Sequence, residues 1–232
     1  MISPLSSLLL RHQPEFHPLI SFDPATQKLS DLNLTTGGDL PLEIAGEEKK
    51  FERFMEELRI LRGADFLVGG YAELRDMYHR SEIFSSQEEP RRLHLGVDVW
   101  GPAGTPVFAF MGGMVHSTGF NEQLGDYGAT MILLHQLEGI PFYTLYGHIS
   151  LADIRQVAAG QYITRGQEIA HFGKPDENGH WPPHLHFQVM SDIGLAEGDY
   201  PGVCRWSERQ QWLDNCPDPD LILQWCKHLP SV

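Results

Sequence analysis

The sequence predicts a mainly β protein, α+β overall, in which an antiparallel sheet folds over on itself between helical extensions at both ends. Three observations carry that expectation. Between His94 and Met190, short runs rich in Val, Ile, Phe and Tyr are separated by Gly, Pro, Asn and Asp, the spacing of strands and turns. Ahead of them, residues 47–62 repeat Phe51, Phe54, Met55, Leu58 and Leu61 at three- and four-residue steps, the period of an amphipathic helix. Behind them, residues 206–229 have a helical texture around Trp206, Trp212, Leu221, Leu223 and Trp225, interrupted by Pro217 and Pro219.

Residues 1–88 read as an N-terminal extension. Turn formers (Pro14, Pro18, Pro24, Pro41) punctuate its first part, and residues 40–44 predict an edge strand. The helix at 47–62 follows, with Gly63 near its C-cap. Gly69-Gly70-Tyr71 and Arg75-Asp76-Met77-Tyr78 form a connector, and Gln87-Glu88-Glu89-Pro90 is a polar break. Residues 89–195 form the central domain, with strands expected at 106–110, 114–117, 129–136, 142–148, 167–172 and 184–190. Residues 151–158 predict one or two helical turns. Such a series of short strands suits a folded-over antiparallel sheet or a barrel. Residues 196–232 form a helical tail packed on that domain.

Bulk properties narrow the function. The chain has 232 residues, 41% hydrophobic and 21% charged, which suits a folded globular protein. Its formal net charge of −14 argues against nucleic acid and against loose adhesion to anionic membranes or wall polymers. No stretch has the length of a membrane span. The start, Met1-Ile2-Ser3-Pro4-Leu5-Ser6-Ser7, has no basic region and only a short apolar run. A cytoplasmic location is therefore expected, unless a leader was removed ahead of this numbering. Cys204, Cys216 and Cys226 are three and lack a CxxC spacing, so free thiols are expected.

Two histidine-bearing segments point to chemistry. In His184-Leu185-His186-Phe187-Gln188-Val189, a strand places His184, His186 and Gln188 on one face. Leu185, Phe187 and Val189 share the other, apolar face. The polar face is a groove floor with two imidazoles about 6–7 Å apart along the backbone. On a straight strand, one of them binding a metal while the other lies beside it is the easier geometry. In His94-Leu95-Gly96-Val97-Asp98, a straight strand would hold the first and last Cα atoms about 13 Å apart. The chain must kink there, and Gly96 permits it. His94, Asp98 and His186 make a His₂Asp set suited to zinc with an open fourth position. Such an ion activates water and polarises a carbonyl. His184, beside that strand, and His148, ending another candidate strand, are available as base and stabiliser. His116, His135, His171 and His180 read as ordinary surface or hydrogen-bonded histidines; His135, on an inner strand, and His180, close to the His184 loop, leave a supporting role at the site open as the alternative.

Residues 94–190 resemble the lysostaphin-type (LytM-like) zinc endopeptidases that cut peptide cross-bridges of bacterial cell walls. The likeness runs in order through His94-x-Gly96-x-Asp98, Gly104-Thr105-Pro106-Val107-x-Ala109, Gly113-x-Val115 and Gly119. It continues through Tyr146-x-His148-x-Ser150, Val157-x-x-Gly160-Gln161, Gly166, Gly173 and His184-Leu185-His186-Phe187. The resemblance implies a β-sheet groove and Zn²⁺ held by His94, Asp98 and His186. It also implies His148 and His184 as the catalytic pair and a peptide or peptidoglycan-derived substrate. Two positions depart from the family pattern. Asp176 to Pro183 is a bulkier approach to the HxH strand than the usual Ser-Thr-Gly-Pro, and Gln188 stands where Glu is common. The stretch Gly69-Gly70-Tyr71-x-x-x-Arg75-x-x-Tyr78 is similar to a cytoplasmic branch of such domains. The expected activity is zinc-dependent peptide hydrolysis. The competing expectation, prompted by the acidic balance, is a non-proteolytic zinc-binding module serving a cytosolic partner enzyme.

Overall fold

One sheet runs through both the N-terminal extension and the central segment. In the computed structural model, which describes residues 3–85 and 89–229, eight strands join in the order Leu29–Leu32, Phe66–Gly69, Val97–Trp100, His184–Met190, Ile140–Ile149, Gly128–Leu137, Gly113–Asn121 and Tyr162–Ile163. In chain order the elements are α1 (Pro4–His12), β1 (Leu29–Leu32), α2 (Leu42–Ala45), α3 (Glu48–Leu61), β2 (Phe66–Gly69), α4 (Glu82–Ser85), β3 (Leu93–His94) and β4 (Val97–Trp100). Next come β5 (Pro106–Phe108), β6 (Gly113–Asn121), β7 (Gly128–Leu137), β8 (Ile140–Ile149) and α5 (Leu151–Ile154). The chain continues through β9 (Tyr162–Ile163), β10 (Glu168–His171), β11 (His184–Met190), β12 (Val203–Cys204), α6 (Arg209–Asn215) and α7 (Asp220–Leu223). Only β1 and β2 pair in parallel; the other pairings of the sheet are antiparallel. Two small sheets, β5 with β10 and β3 with β12, lie apart from it.

The predicted helix over 47–62 is α3, which buries Phe51 and Met55 one turn apart. Gly63 follows in the left-handed conformation its C-cap position favours. Residues 40–44 are not an edge strand. Pro41 precedes a single helical turn, α2, because its fixed φ suits a helix start and Leu-Glu-Ile-Ala propagates it. The polar break at 87–90 falls partly outside the described residues. Among the described residues no helix is long and apolar enough to cross a membrane. Cys204, Cys216 and Cys226 are free, as expected, the first two buried.

Strand β11 is central, and all seven of its residues are buried. Leu185, Phe187 and Val189 enter the main core with Val97, Val99, Tyr146 and Phe110. The opposite face carries His184, His186 and Gln188, so the predicted alternation sets which side of the sheet is chemical. On its flanks, His184 pairs with Trp100 and His186 with Asp98 of β4, while His186 also pairs with Gly147 of β8.

Candidate active site

The break between β3 and β4 falls at Leu95 and Gly96, where the sequence requires a kink. His94 leaves the main sheet to pair with Val203, while Asp98 stays beside His186. Gly96 has a second use beyond flexibility. A Cβ there would lie 2.5 Å from His186 Cε1 and 2.8 Å from the Phe187 carbonyl oxygen. Only glycine leaves the His186 ring its place.

His94, Asp98 and His186 converge. His94 Nε2 is 3.0 Å from His186 Nδ1, His186 Nδ1 is 3.0 Å from Asp98 Oδ1, and His94 Nε2 is 3.2 Å from Asp98 Oδ1. All three residues are buried. Their outer atoms fix which inner atoms are bare. His94 Nδ1 donates to the Gly70 carbonyl (3.0 Å), and His186 Nε2 donates to Gln188 Oε1 (3.0 Å). Gln188 is held in that orientation by donating its own amide to Pro201 O. Two nitrogen lone pairs and a carboxylate oxygen are thereby aimed at one point with no proton of their own to share. Tetrahedral zinc with ligands at about 2.0–2.1 Å needs donor atoms about 3.3 Å apart. The donor set fits a divalent ion of that kind.

The electrostatics agree. Burial works against the Asp98 carboxylate, but the charge of the Arg75 guanidinium bound to its Oδ2 favours the ionised form and outweighs it. The group is held well below the ordinary carboxylate range. Burial, with Arg75 nearby, pushes His94 down to about 4, so its ring is neutral and fit to ligate.

His148 and His184 lie next to this cluster, their ring centroids 4.1 Å apart, with His148 6.3 Å from His186. His148 Nδ1 donates to Asn178 O and His184 Nδ1 to Pro182 O, both at 2.8 Å. Both Nε2 atoms are therefore bare proton acceptors. Burial is the main cause that keeps both rings neutral, taking His184 down to about 4 and His148 well below its ordinary value.

His148 reaches this face by a backbone reversal. On β8, Tyr146 packs into the core and Gly147 sits opposite His186. Simple alternation would return His148 to the core side. Instead His148 adopts φ +60°. That conformation is costly for a residue with a Cβ and is retained where surrounding bonds hold it. Here those are His148 N to Tyr127 O and Gly173 N to His148 O.

A cavity of about 260 Å³ opens over these residues. Met77, Tyr78 and Phe84 contribute to its wall from the N-terminal extension, and Tyr127 and Trp181 from the central segment. Asp126 and Asp199 also line it, with burial raising both carboxyl groups above their usual range.

All five predicted site residues are thus brought together. His135 and His180 are not beside them. His135 faces the interior between Gly112 O and Thr144 Oγ1, stacked on Phe142, and His180 turns to Glu48 of α3. Sequence reasoning missed Arg75 as a partner of Asp98, Trp100 as the platform under His184, and Tyr127. The residue facing Asp98 across the β2–β4 pairing is a glycine, and nothing in a sequence announces such a pairing.

The sequence profile of peptidase family M23 matches residues 92–197. The chain is 28% identical over 130 residues to the L-Ala–D-Glu endopeptidase of Bacillus subtilis, covering 53% of this chain and 37% of that protein. It is 32% identical over 116 residues to the peptidoglycan DD-endopeptidase ShyA of Vibrio cholerae, covering 46% and 24%. It also aligns with the crystal structure of a zinc-containing peptidase from Vibrio cholerae at 30% identity and a TM-score of 0.33, covering 42% and 27%. The chain spans well under half the length of each of these relatives.

Proposed function

We propose, from the premise that residues 92–197 form a domain of peptidase family M23, that this chain is a zinc-dependent metalloendopeptidase cutting peptidoglycan-type peptides. The observation that carries this reading is the convergence of three proton-free donor atoms beside two neutral histidines whose acceptor nitrogens are bare. The substrate class follows the names of the two curated relatives, both endopeptidases and one of them specified as acting on peptidoglycan.

His94 Nε2, Asp98 Oδ1 and His186 Nδ1 would hold the ion. A bound zinc supplies Lewis acidity toward a peptide carbonyl and toward water. The chain's own residues do the rest. Either His148 or His184 takes up a proton at its bare Nε2. Once protonated, that ring is a donor and can steady the oxyanion or pass the proton to the leaving amine. A neutral ring with Nδ1 committed to a carbonyl has no hydrogen to offer an oxyanion, so the proton must arrive first.

The test is turnover of stem and cross-bridge peptides by the purified full chain, followed by mass spectrometry, together with zinc content. The expected result is one zinc per chain, peptide cleavage abolished by chelator, and recovery on adding zinc. One zinc per chain with none of these peptides cleaved would reject the peptidase reading and leave a zinc-binding module.

A further inference from the structure

Arg75 lies outside the family-matched residues and is fully buried. An arginine is rarely buried, because its charge must leave water, unless it is closely paired. Its Nη1 donates to Asp98 Oδ2 at 2.5 Å and its Nε to Glu73 Oε2 at 2.6 Å. Longer contacts run to the Tyr78 hydroxyl (3.3 Å) and the Gly70 carbonyl (3.4 Å).

We infer that Arg75 is a positioning residue for the metal centre, fixing the Asp98 carboxylate so that it presents Oδ1 alone. This rests on the metal-centre reading above. With Oδ2 bound to the guanidinium, the carboxylate cannot rotate or offer both oxygens to one ion. That preserves an open coordination position, which a hydrolytic site needs.

The surroundings are built for this contact. Glu73 is itself anchored, since its Oε1 accepts from Leu34 N just after β1. Gly69 pairs with Asp98 across β2 and β4, and a Cβ at that position would lie 2.8 Å from Arg75 Nη2. The position therefore has room for the guanidinium only because it is glycine. The same stretch holds a second ligand, because the Gly70 carbonyl accepts from His94 Nδ1. Backbone bonds from Ala72 N to His94 O and from His94 N to Glu73 O run alongside. Two of the three ligands thus take their orientation from residues 69–75, and those residues belong to the metal centre as surely as the histidines do. Outer partners of this kind typically change metal affinity 10–100-fold.

The experiment compares full-length Arg75→Met, Arg75→Lys and Glu73→Gln with the native chain. Zinc affinity is measured by competition with a chromophoric chelator, and visible absorption of the cobalt(II)-substituted protein reports coordination number. Melting of each metal-free chain is recorded alongside. Arg75→Met is expected to weaken zinc about 10–100-fold and to shift the cobalt spectrum toward higher coordination. Arg75→Lys keeps the charge but not the fork, and should recover only part of that loss. Glu73→Gln leaves Arg75 in place and should give a smaller loss of the same sign, so it carries the test if Arg75→Met does not fold. Unchanged affinity and an unchanged cobalt spectrum in the variants that fold, even with lower melting temperatures, would reduce Arg75 to a structural ion pair and overturn the inference. A native chain that binds zinc but cleaves no peptide would sink only the peptidase reading. A native chain that binds no zinc would sink both.

Discussion

The indole of Trp100 lies face to face with the imidazole of His184, ring centroids 3.8 Å apart and planes 13° from parallel. The two residues are directly opposite each other on β4 and β11. Together with His148 on its other flank, the indole leaves the His184 ring little freedom to turn. A stacked pair of this kind is worth about 0.5–1.5 kcal/mol beyond its buried area. Trp100→Leu should therefore lower kcat by roughly tenfold while leaving KM and zinc content near native, because orientation rather than binding is lost. Steady-state kinetics on a single peptide would decide it; a kcat equal to native would show that the stack is only packing.

His148→Ala and His184→Ala should each reduce kcat/KM by about 10²–10⁴, the usual contribution of a positioned acid or base. Zinc content should remain at one per chain in both, since neither residue supplies a donor atom of the converging set. Peptide turnover and metal analysis on the same preparations check this. Native activity in both variants would remove them from the chemistry.

Gly96→Ala should empty the metal centre. The added Cβ would meet the His186 ring at 2.5 Å and the Phe187 carbonyl at 2.8 Å, and backbone of a central strand cannot give way cheaply. Overpacking of this sort costs about 1–3 kcal/mol. Zinc per chain should fall well below one and the melting temperature should drop. A variant that retained full zinc would show that His186 can shift without losing its ligand geometry.

Acid should destabilise the chain partly through His135, remote from the His94, Asp98 and His186 cluster. Burial pushes this imidazole down to about 4, against about 6.5 in an unfolded chain. A group whose folded value is depressed contributes fully above pH 6.5 and loses that contribution as the pH falls toward 4. The gap between the two values corresponds to about 3 kcal/mol when the pH is below both. Urea denaturation of metal-free protein should show the native chain losing about 2 kcal/mol more than His135→Gln between pH 7 and pH 4.5. Equal losses in the two proteins would place the acid sensitivity elsewhere.

The chemical face of β11 was legible in the sequence because strand geometry alternates side chains without reference to the rest of the fold. The apolar set Leu185, Phe187 and Val189 faces the core, and His184 and His186 face away from it. The need for a break between His94 and Asp98 was equally local, since an extended chain is too long to bring both to one ion. α3 followed from its apolar period. The turn at 42–45 did not, because four residues carry too little periodicity to separate a helix from a strand.

Three features came only from the tertiary structure. His148 sits on the same face as His184 and His186 because its backbone adopts φ +60°, which period-two reasoning excludes and which loop 173–178 and Tyr127 hold in place. Arg75 meets Asp98 across 23 positions of sequence, through a β2–β4 pairing that joins the N-terminal extension to the central sheet. Trp100 became the platform for His184 only when antiparallel register set them opposite each other. Local sequence determines which atoms a segment offers and to which side. Which distant atoms they meet depends on register and chain reversal, and those are settled by the energy of the whole packed sheet.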